Sequence, residues 1–170
     1  MLATDRPAPA LSVPLLGGGT YDLSAEAPEH FAVVLFYRGR HCPLCTRQME
    51  EDVIPNLSAV AEAGMTVAAV SMDPEERARD QASGWVEAGL RVGYGMPEAT
   101  ARAWGLYLST ARAEKEPPLF SEPAMTLVRP DGRVYAHWQQ SVPFARPRMA
   151  DLLGAIGFIV ENDYPARGIA

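Results

Sequence analysis

His30-Phe31-Ala32-Val33-Val34-Leu35-Phe36-Tyr37 runs straight into Arg38-Gly39-Arg40-His41-Cys42-Pro43-Leu44-Cys45. Phe31 to Tyr37 is an unbroken apolar run without period-two alternation, the pattern of a central strand buried on both faces. Arg38 to His41 reads as the turn that follows. Proline suits the first position of a helix, because its missing N–H would be unpaired there anyway, so Pro43 marks a helix start with Cys42 at the N-cap. Met49, Val53, Leu57, Val60 and Ala61 then recur at helical spacing to about Ala63, and Gly64 supplies the stop. Pro55 falls inside that span and predicts a kink, since it removes a backbone donor and crowds the preceding turn.

Outward from this core the chain alternates between strand and helix signals. Met65 to Met72 is a second continuous apolar strand. Asp73-Pro74-Glu75-Glu76 reads as an N-cap, a proline at the first helical position and a carboxylate at the third, with Ala78, Ala82, Trp85 and Val86 as the buried stripe and Gly89 as the end. A short segment at Leu90 to Val92 is followed by a small helix from about Pro97 to Trp104. Glu114 to Glu122, which holds Pro117 and Pro118, reads as an exposed loop. Ala124–Val128 and Arg133–Trp138 flank Arg129-Pro130-Asp131-Gly132, a strong hairpin signal. Met149, Leu152, Leu153, Ile156, Ile159 and Val160 form the apolar face of a last helix. Upstream, Gly17-Gly18-Gly19 before Thr20–Leu23 is a tight turn entering a short strand. Residues 1–14 are proline-rich and are expected along the surface. The fold class is α/β, with a mixed sheet covered by helices. No linker or repeat divides the chain, so one domain over 1–170 is expected.

The composition narrows the function. In 170 residues there are 15 Lys plus Arg against 21 Asp plus Glu, a net charge of −6. Such a balance, with no basic block, argues against a nucleic-acid surface. No apolar run is long enough for a membrane helix, and Asp5, Pro7, Pro9 and Pro14 interrupt what a signal peptide would need. A cytoplasmic, reducing location is the expectation, and there a lone CxxC is catalytic or metal-binding rather than structural.

Cys42 and Cys45 are the only cysteines in the chain. With one at the N-cap and the other a turn later, their Cα atoms should lie about 5–6 Å apart, within the window a disulfide accepts. The unpaired N–H groups of a helix start favour an anion, and Arg38, Arg40, His41 and Arg47 surround the pair in sequence, so a lowered thiol pKa is expected. Each of these cations also reads as an ordinary solvated side chain. A zinc site would need more ligands, and His30, His41 and His137 are scattered. A c-type haem would need histidine where Thr46 stands. No cofactor and no metal are expected. Two inert buried thiols are the bland alternative.

The segment Phe36 to Cys45 resembles the active site of thioredoxin-fold proteins, and is most similar to the peroxiredoxin-like branch of the alkyl hydroperoxide reductase C/thiol-specific antioxidant family. The likeness extends over nearly the whole chain: Gly17–Leu23 resembles the family's N-terminal β-hairpin, Val67–Asp73 its second strand and turn, and Ala124–Gly132 its late hairpin. It implies a thioredoxin-like fold, a central mixed sheet flanked by helices with a hairpin extension. Two departures stand out. Against the peroxiredoxin Pro-x-x-x-Thr-x-x-Cys motif, Arg38 replaces the proline, Cys42 replaces the threonine, and Cys45 takes the peroxidatic position. The arginine that polarises peroxide in those enzymes aligns with Pro123, which instead resembles the cis-proline of thioredoxins, making Glu122–Pro123 a candidate cis bond.

Three functions follow. In the first, a thiol-disulfide oxidoreductase, Cys42 attacks and Cys45 resolves, Pro123 shapes the substrate groove, Pro43 starts the helix, and Arg38, Arg40 or His41 tune the thiolate. In the second, a thiol peroxidase for hydrogen peroxide or alkyl hydroperoxides, Cys45 is the candidate attacking residue, with Arg38 or Arg40 in place of the missing arginine. The third is a thioredoxin-fold binding module without catalysis, which inaccessible sulfurs would favour. The partners implied are a disulfide or peroxide and a thiol reductant of thioredoxin, glutaredoxin or low-molecular-weight type. Trp104, Tyr107 and Leu108 read equally as a homodimer surface, a local lid or core.

Overall fold

The computed structural model describes residues 2–169. At its centre β3 (Phe31–Phe36) pairs in parallel with β4 (Met65–Val70), which in turn pairs in parallel with β5 (Arg91–Gly93). On its other side β3 runs antiparallel to β8 (Ala124–Val128), and β8 antiparallel to β9 (Val134–Gln139). The sheet order is therefore β5-β4-β3-β8-β9. All six residues of β3 are buried, as the apolar run requires. Val33, Leu35 and Tyr37 enter one core with both cysteines, Met49, Trp85 and Met125. Val34 and Phe36 enter a second core with Val13, Tyr21 and Trp104, where the Phe36 and Trp104 rings lie 5.0 Å apart. This is the mixed, helix-covered sheet expected from the sequence.

Pro43 opens α1 (Pro43–Gln48) with Cys42 at the N-cap. The helix then widens into a π turn over Met49–Val53, tightens to a 3₁₀ turn over Ile54–Asn56, and resumes as α2 (Leu57–Glu62). Pro55 is the cause: without an N–H and pressed against the turn before it, it forces the hydrogen-bond ladder to slip on either side. α3 (Glu75–Glu87), α4 (Glu98–Ala103) and α5 (Met149–Glu161) complete the layers.

Three expectations are corrected, and one left open between surface, lid and core is decided for Trp104. The surface course of the N-terminus stops short of residue 14: Leu11 and Val13 are buried, and β1 (Ser12–Pro14) forms a hairpin with β2 (Thr20–Asp22) over the second core. The loop expected at 114–122 ends in β7 (Leu119–Ser121), which pairs with β6 (Leu108–Thr110). Trp104 is core, while Tyr107 is exposed. Asp73 does not cap α3, whose N-cap is Pro74; its carboxylate turns the other way, towards the turn before Cys42. Among the described residues no helix is long and apolar enough to cross a membrane, and no three His, Cys, Asp or Glu side chains gather as metal ligands do.

Candidate active site

β3 delivers the chain to the turn Arg38–His41, and Asp73, at the end of β4, shapes that turn. Asp73 Oδ2 accepts from the Arg40 backbone N at 2.7 Å, while Oδ1 accepts from Arg77 Nε at 3.1 Å. The turn needs glycine at position 39. Its φ is +111°, and a Cβ there would lie 2.3 Å from Asp73 Oδ2, so both the backbone conformation and the carboxylate exclude a side chain. Cys42 N then bonds Gly39 O at 3.0 Å, and Cys42 O receives Cys45 N at 3.0 Å as the helix begins.

Both thiols are free and buried, Cys42 at 1% and Cys45 at 0% exposure. The cation that reaches them is Arg146, from the segment between β9 and α5. Its Nη2 donates to Cys45 Sγ at 3.2 Å and faces Cys42 Sγ at 3.6 Å. Its other nitrogens fix its aim: Nη1 donates to Gln48 Oε1 at 2.7 Å and Nε to Pro143 O at 2.9 Å. One helical turn further on, Asp52 Oδ2 accepts from Met149 N at 2.8 Å and satisfies the start of α5.

This geometry separates the two sulfurs. The hydrogen bond from the Cys45 thiol, with the Cys45 amide and Arg146, holds the Cys42 pKa down to about 5 against the opposing effect of burial. Burial, and the same bond given to Cys42, push Cys45 well above the ordinary thiol range. One sulfur is thus an anion at neutral pH, and the other keeps its proton beside it.

The cations expected near the pair are placed elsewhere. Arg38 lies over the Phe120 ring at 4.7 Å and pairs with Glu122 Oε2 at 3.2 Å and Glu116 Oε1 at 3.5 Å. Arg40 Nε pairs with Asp80 Oδ2 at 3.2 Å on the surface. Their charge is spent on carboxylates, and neither hydrogen-bonds a sulfur. His41 is buried edge-on against Phe120, ring centroids 4.5 Å apart, and neither ring nitrogen has a partner. Burial and then Arg38 lower its pKa, so the ring is neutral at physiological pH. Pro43 is exposed at the helix start. Pro123 is buried, and its carbonyl accepts from Gln140 N at 3.0 Å. The candidate cis bond is overturned, as no cis peptide occurs among the described residues. Glu122 N is tied to Tyr107 O at 2.8 Å, so the chain passes between β7 and β8 with both flanks of the bond already paired. Arg146 is the residue that sequence reasoning missed. Its nearest signal is a cation just ahead of the final helix, and nothing local ties it to a motif a hundred residues earlier.

A family model described as Redoxin matches residues 3–153. The chain belongs to the redoxin family. Solved structures agree on the fold. Peroxidoxin BcpB from Mycobacterium tuberculosis superposes with a TM-score of 0.74 at 18% identity, covering 94% of this chain and 99% of that one. A cysteine mutant of peroxiredoxin 6 from Arenicola marina gives 0.78 at 13%, covering 96% and 76%. The thioredoxin domain of a thiol-disulfide oxidoreductase from Bacteroides vulgatus gives 0.67 at 19%, covering 94% and 99%. No curated protein matches. As a redoxin with a free Cys42/Cys45 pair, the protein is an oxidoreductase acting through thiols, either on disulfides or on peroxides.

Proposed function

We propose that this redoxin is a dithiol–disulfide oxidoreductase in which Cys42 is the nucleophile and Cys45 the resolving thiol. The carrying observation is the asymmetry of the pair: Cys42 is held as a thiolate by Cys45 and Arg146, and Cys45 is held protonated. The Cys42 thiolate attacks one sulfur of a substrate disulfide, expels the other half as a thiolate and leaves a mixed disulfide. Cys45 then loses its proton, attacks Cys42 and releases the second half as a thiolate, which leaves a Cys42–Cys45 disulfide. An external thiol reductant in a reducing cytoplasmic setting returns the pair to its starting state. Because both sulfurs are covered, a substrate must displace a neighbour, and the guanidinium of Arg146 is the group lying on them.

Steady-state reduction of a chromogenic aryl disulfide tests this with each cysteine changed singly. Cys42→Ser should abolish turnover, while Cys45→Ser should accumulate the mixed disulfide on Cys42, visible by intact-protein mass. Full turnover by Cys42→Ser would overturn the assignment.

One observation favours a second reading, peroxide reduction. Arg146 sits closer to Cys45, the position aligned with the peroxidatic cysteine, than to Cys42. It supplies the guanidinium that Pro123 lacks. Peroxide consumption that survives Cys42→Ser and is lost in Cys45→Ser would select it.

A further inference from the structure

A cleft lies beside the start of α1 and shares Arg47 and Glu51 with the depression beside Arg146. It has a volume of about 580 Å³, and its wall includes His41 and Pro43, the two residues on either side of Cys42. Four cations line it, Arg40, Arg47, Arg77 and Lys115, against two carboxylates, Glu50 and Glu51. Arg40 is held by Asp80, and Arg77 by Asp73 and the Lys115 carbonyl. Arg47 and Lys115 are exposed and have no ion-pair partner among the described residues. Glu50 accepts a hydrogen bond from Trp85 Nε1 at 3.2 Å. Arg47 and Lys115 are thus the two cations of the cleft left free to meet an anion, beside Glu50 and Glu51.

His41 adds a second, independent sign of a ligand. It is 7% exposed, it lines this cleft, and both its ring nitrogens lack a partner. A buried polar group without a partner is costly, and such groups in a folded protein call for an explanation. A ligand that brings a polar hydrogen to the unprotonated ring nitrogen gives that nitrogen its partner.

We propose that this cleft binds a carboxylate-bearing low-molecular-weight thiol, with its carboxylate between Arg47 and Lys115, its S–H on the His41 ring, and its sulfur directed at Cys42. The inference rests on the disulfide cycle above and names the reductant of the oxidised pair. The imidazole takes the thiol proton as the ligand sulfur attacks Cys42. The Cys42–Cys45 bond breaks, and Cys45 leaves as a thiolate and collects that proton. A second molecule, as thiolate, attacks the ligand sulfur of the mixed disulfide and releases Cys42 as its stable thiolate. Two thiols are oxidised to one small disulfide, the protein disulfide is reduced to a dithiol, and the second thiol's proton goes to solvent.

The experiment follows stoichiometric reduction of the oxidised protein by stopped flow, read as intrinsic fluorescence and checked by thiol counting. The reductants are 3-mercaptopropionate, 2-mercaptoethanol and cysteamine, anionic, neutral and cationic, with rates referred to thiolate concentration. In the wild type the anion should be roughly ten-fold faster than the neutral thiol at low ionic strength, about three-fold for each unpaired cation, and this advantage should shrink in 0.5 M salt. Arg47→Glu with Lys115→Glu, both surface changes, should bring the anion level with or below the neutral thiol. Arg102→Glu on α4, an exposed cation away from the cleft, should leave the ratio unchanged. His41→Phe keeps a ring against Phe120 and should slow every thiol about ten-fold near pH 7 without altering the anion-to-neutral ratio.

A ratio near one in the wild type, or an equal drop in Arg102→Glu, would overturn the cleft. If Cys42-dependent disulfide turnover persists in that case, the proposed function stands alone. A wild-type pair that forms no disulfide would end both.

Discussion

Replacing Arg146 by methionine keeps an unbranched stem and removes the guanidinium and its charge, and the structure fixes what this does to the thiolate. The lost cation stands 3.2 Å from Cys45 Sγ and 3.6 Å from Cys42 Sγ. An opposite charge at such range moves a pKa by roughly 1–3 units, and with the Cys45 hydrogen bonds to Cys42 retained a rise of about 1.5 is expected. The Cys42 midpoint then goes from about 5 to about 6.5. A more basic thiolate is also a better nucleophile, and with a Brønsted coefficient of about 0.4–0.5 this rise makes each thiolate about five-fold faster. The two effects oppose each other in a way that depends on pH. Near pH 8 both proteins are almost wholly thiolate, and the variant should alkylate with iodoacetamide about five-fold faster. Near pH 4.5 the variant holds about 1% thiolate against about 24% in the wild type, and should be about five-fold slower. The curves should cross at about pH 6. Absorbance of the thiolate at 240 nm gives the midpoint independently. An unmoved midpoint, or a variant-to-wild-type ratio that is the same at every pH, would refute the assignment of Arg146 as the cation that acts on the pair.

Gly39→Ala forces a Cβ against Asp73 in a left-handed conformation and should cost about 2–4 kcal/mol of stability, read as a lower thermal midpoint with a disordered active-site turn. Arg38→Met leaves the buried Glu122 carboxylate without its cation; urea melts should show a loss of about 2–4 kcal/mol, while the 240 nm thiolate midpoint stays near 5. Unfolding free energy should depend on pH through the two sulfurs with opposite signs. Cys42 holds fewer protons folded than unfolded from about pH 5 up to the ordinary thiol range, so stability rises with pH across that window and is lost as pH falls through about 5. Cys45 keeps its proton where an unfolded thiol would lose it, so stability declines again above about pH 9. Cys42→Ser should flatten the first slope in denaturant melts run across the pH range.

The parts of this fold that were legible in sequence are those decided by local chemistry. Phe31–Tyr37 has no polar residue to put in water, so it can only be a central strand. Pro43 and the spacing of Met49, Val53 and Leu57 announce the helix behind the cysteines, and Pro55 its distortion. The hidden parts depend on partners distant in sequence. Arg38 and Arg40 look like cations for Cys42 until Glu122, Glu116 and Asp80 are brought to them. Asp73 looks like a helix cap until the turn before Cys42 offers it the Arg40 amide. β6 and β7 have three residues each, too few for alternation to show. Pro123 resembles a cis-proline by position, yet the bond before it is trans.

Gln48 and Asp52 lie one turn apart on the helical segment behind Cys42. Gln48 accepts from Arg146, and Asp52 from the amide of Met149. That segment thereby acts as a ruler laid against the chain that enters α5. The spacing from Arg146 to Met149 is matched to one turn, and the slip to π geometry over Met49–Val53 overlaps that interval. A single residue inserted at Pro147 would leave no setting in which both contacts survive: either α5 loses its carboxylate or the sulfurs lose their guanidinium. The connection from β9 to α5 looks like a surface loop, where insertions are ordinarily tolerated. At its last three residues it has the tolerance of a helix interior, and changes in its length there should register in the reactivity of Cys42.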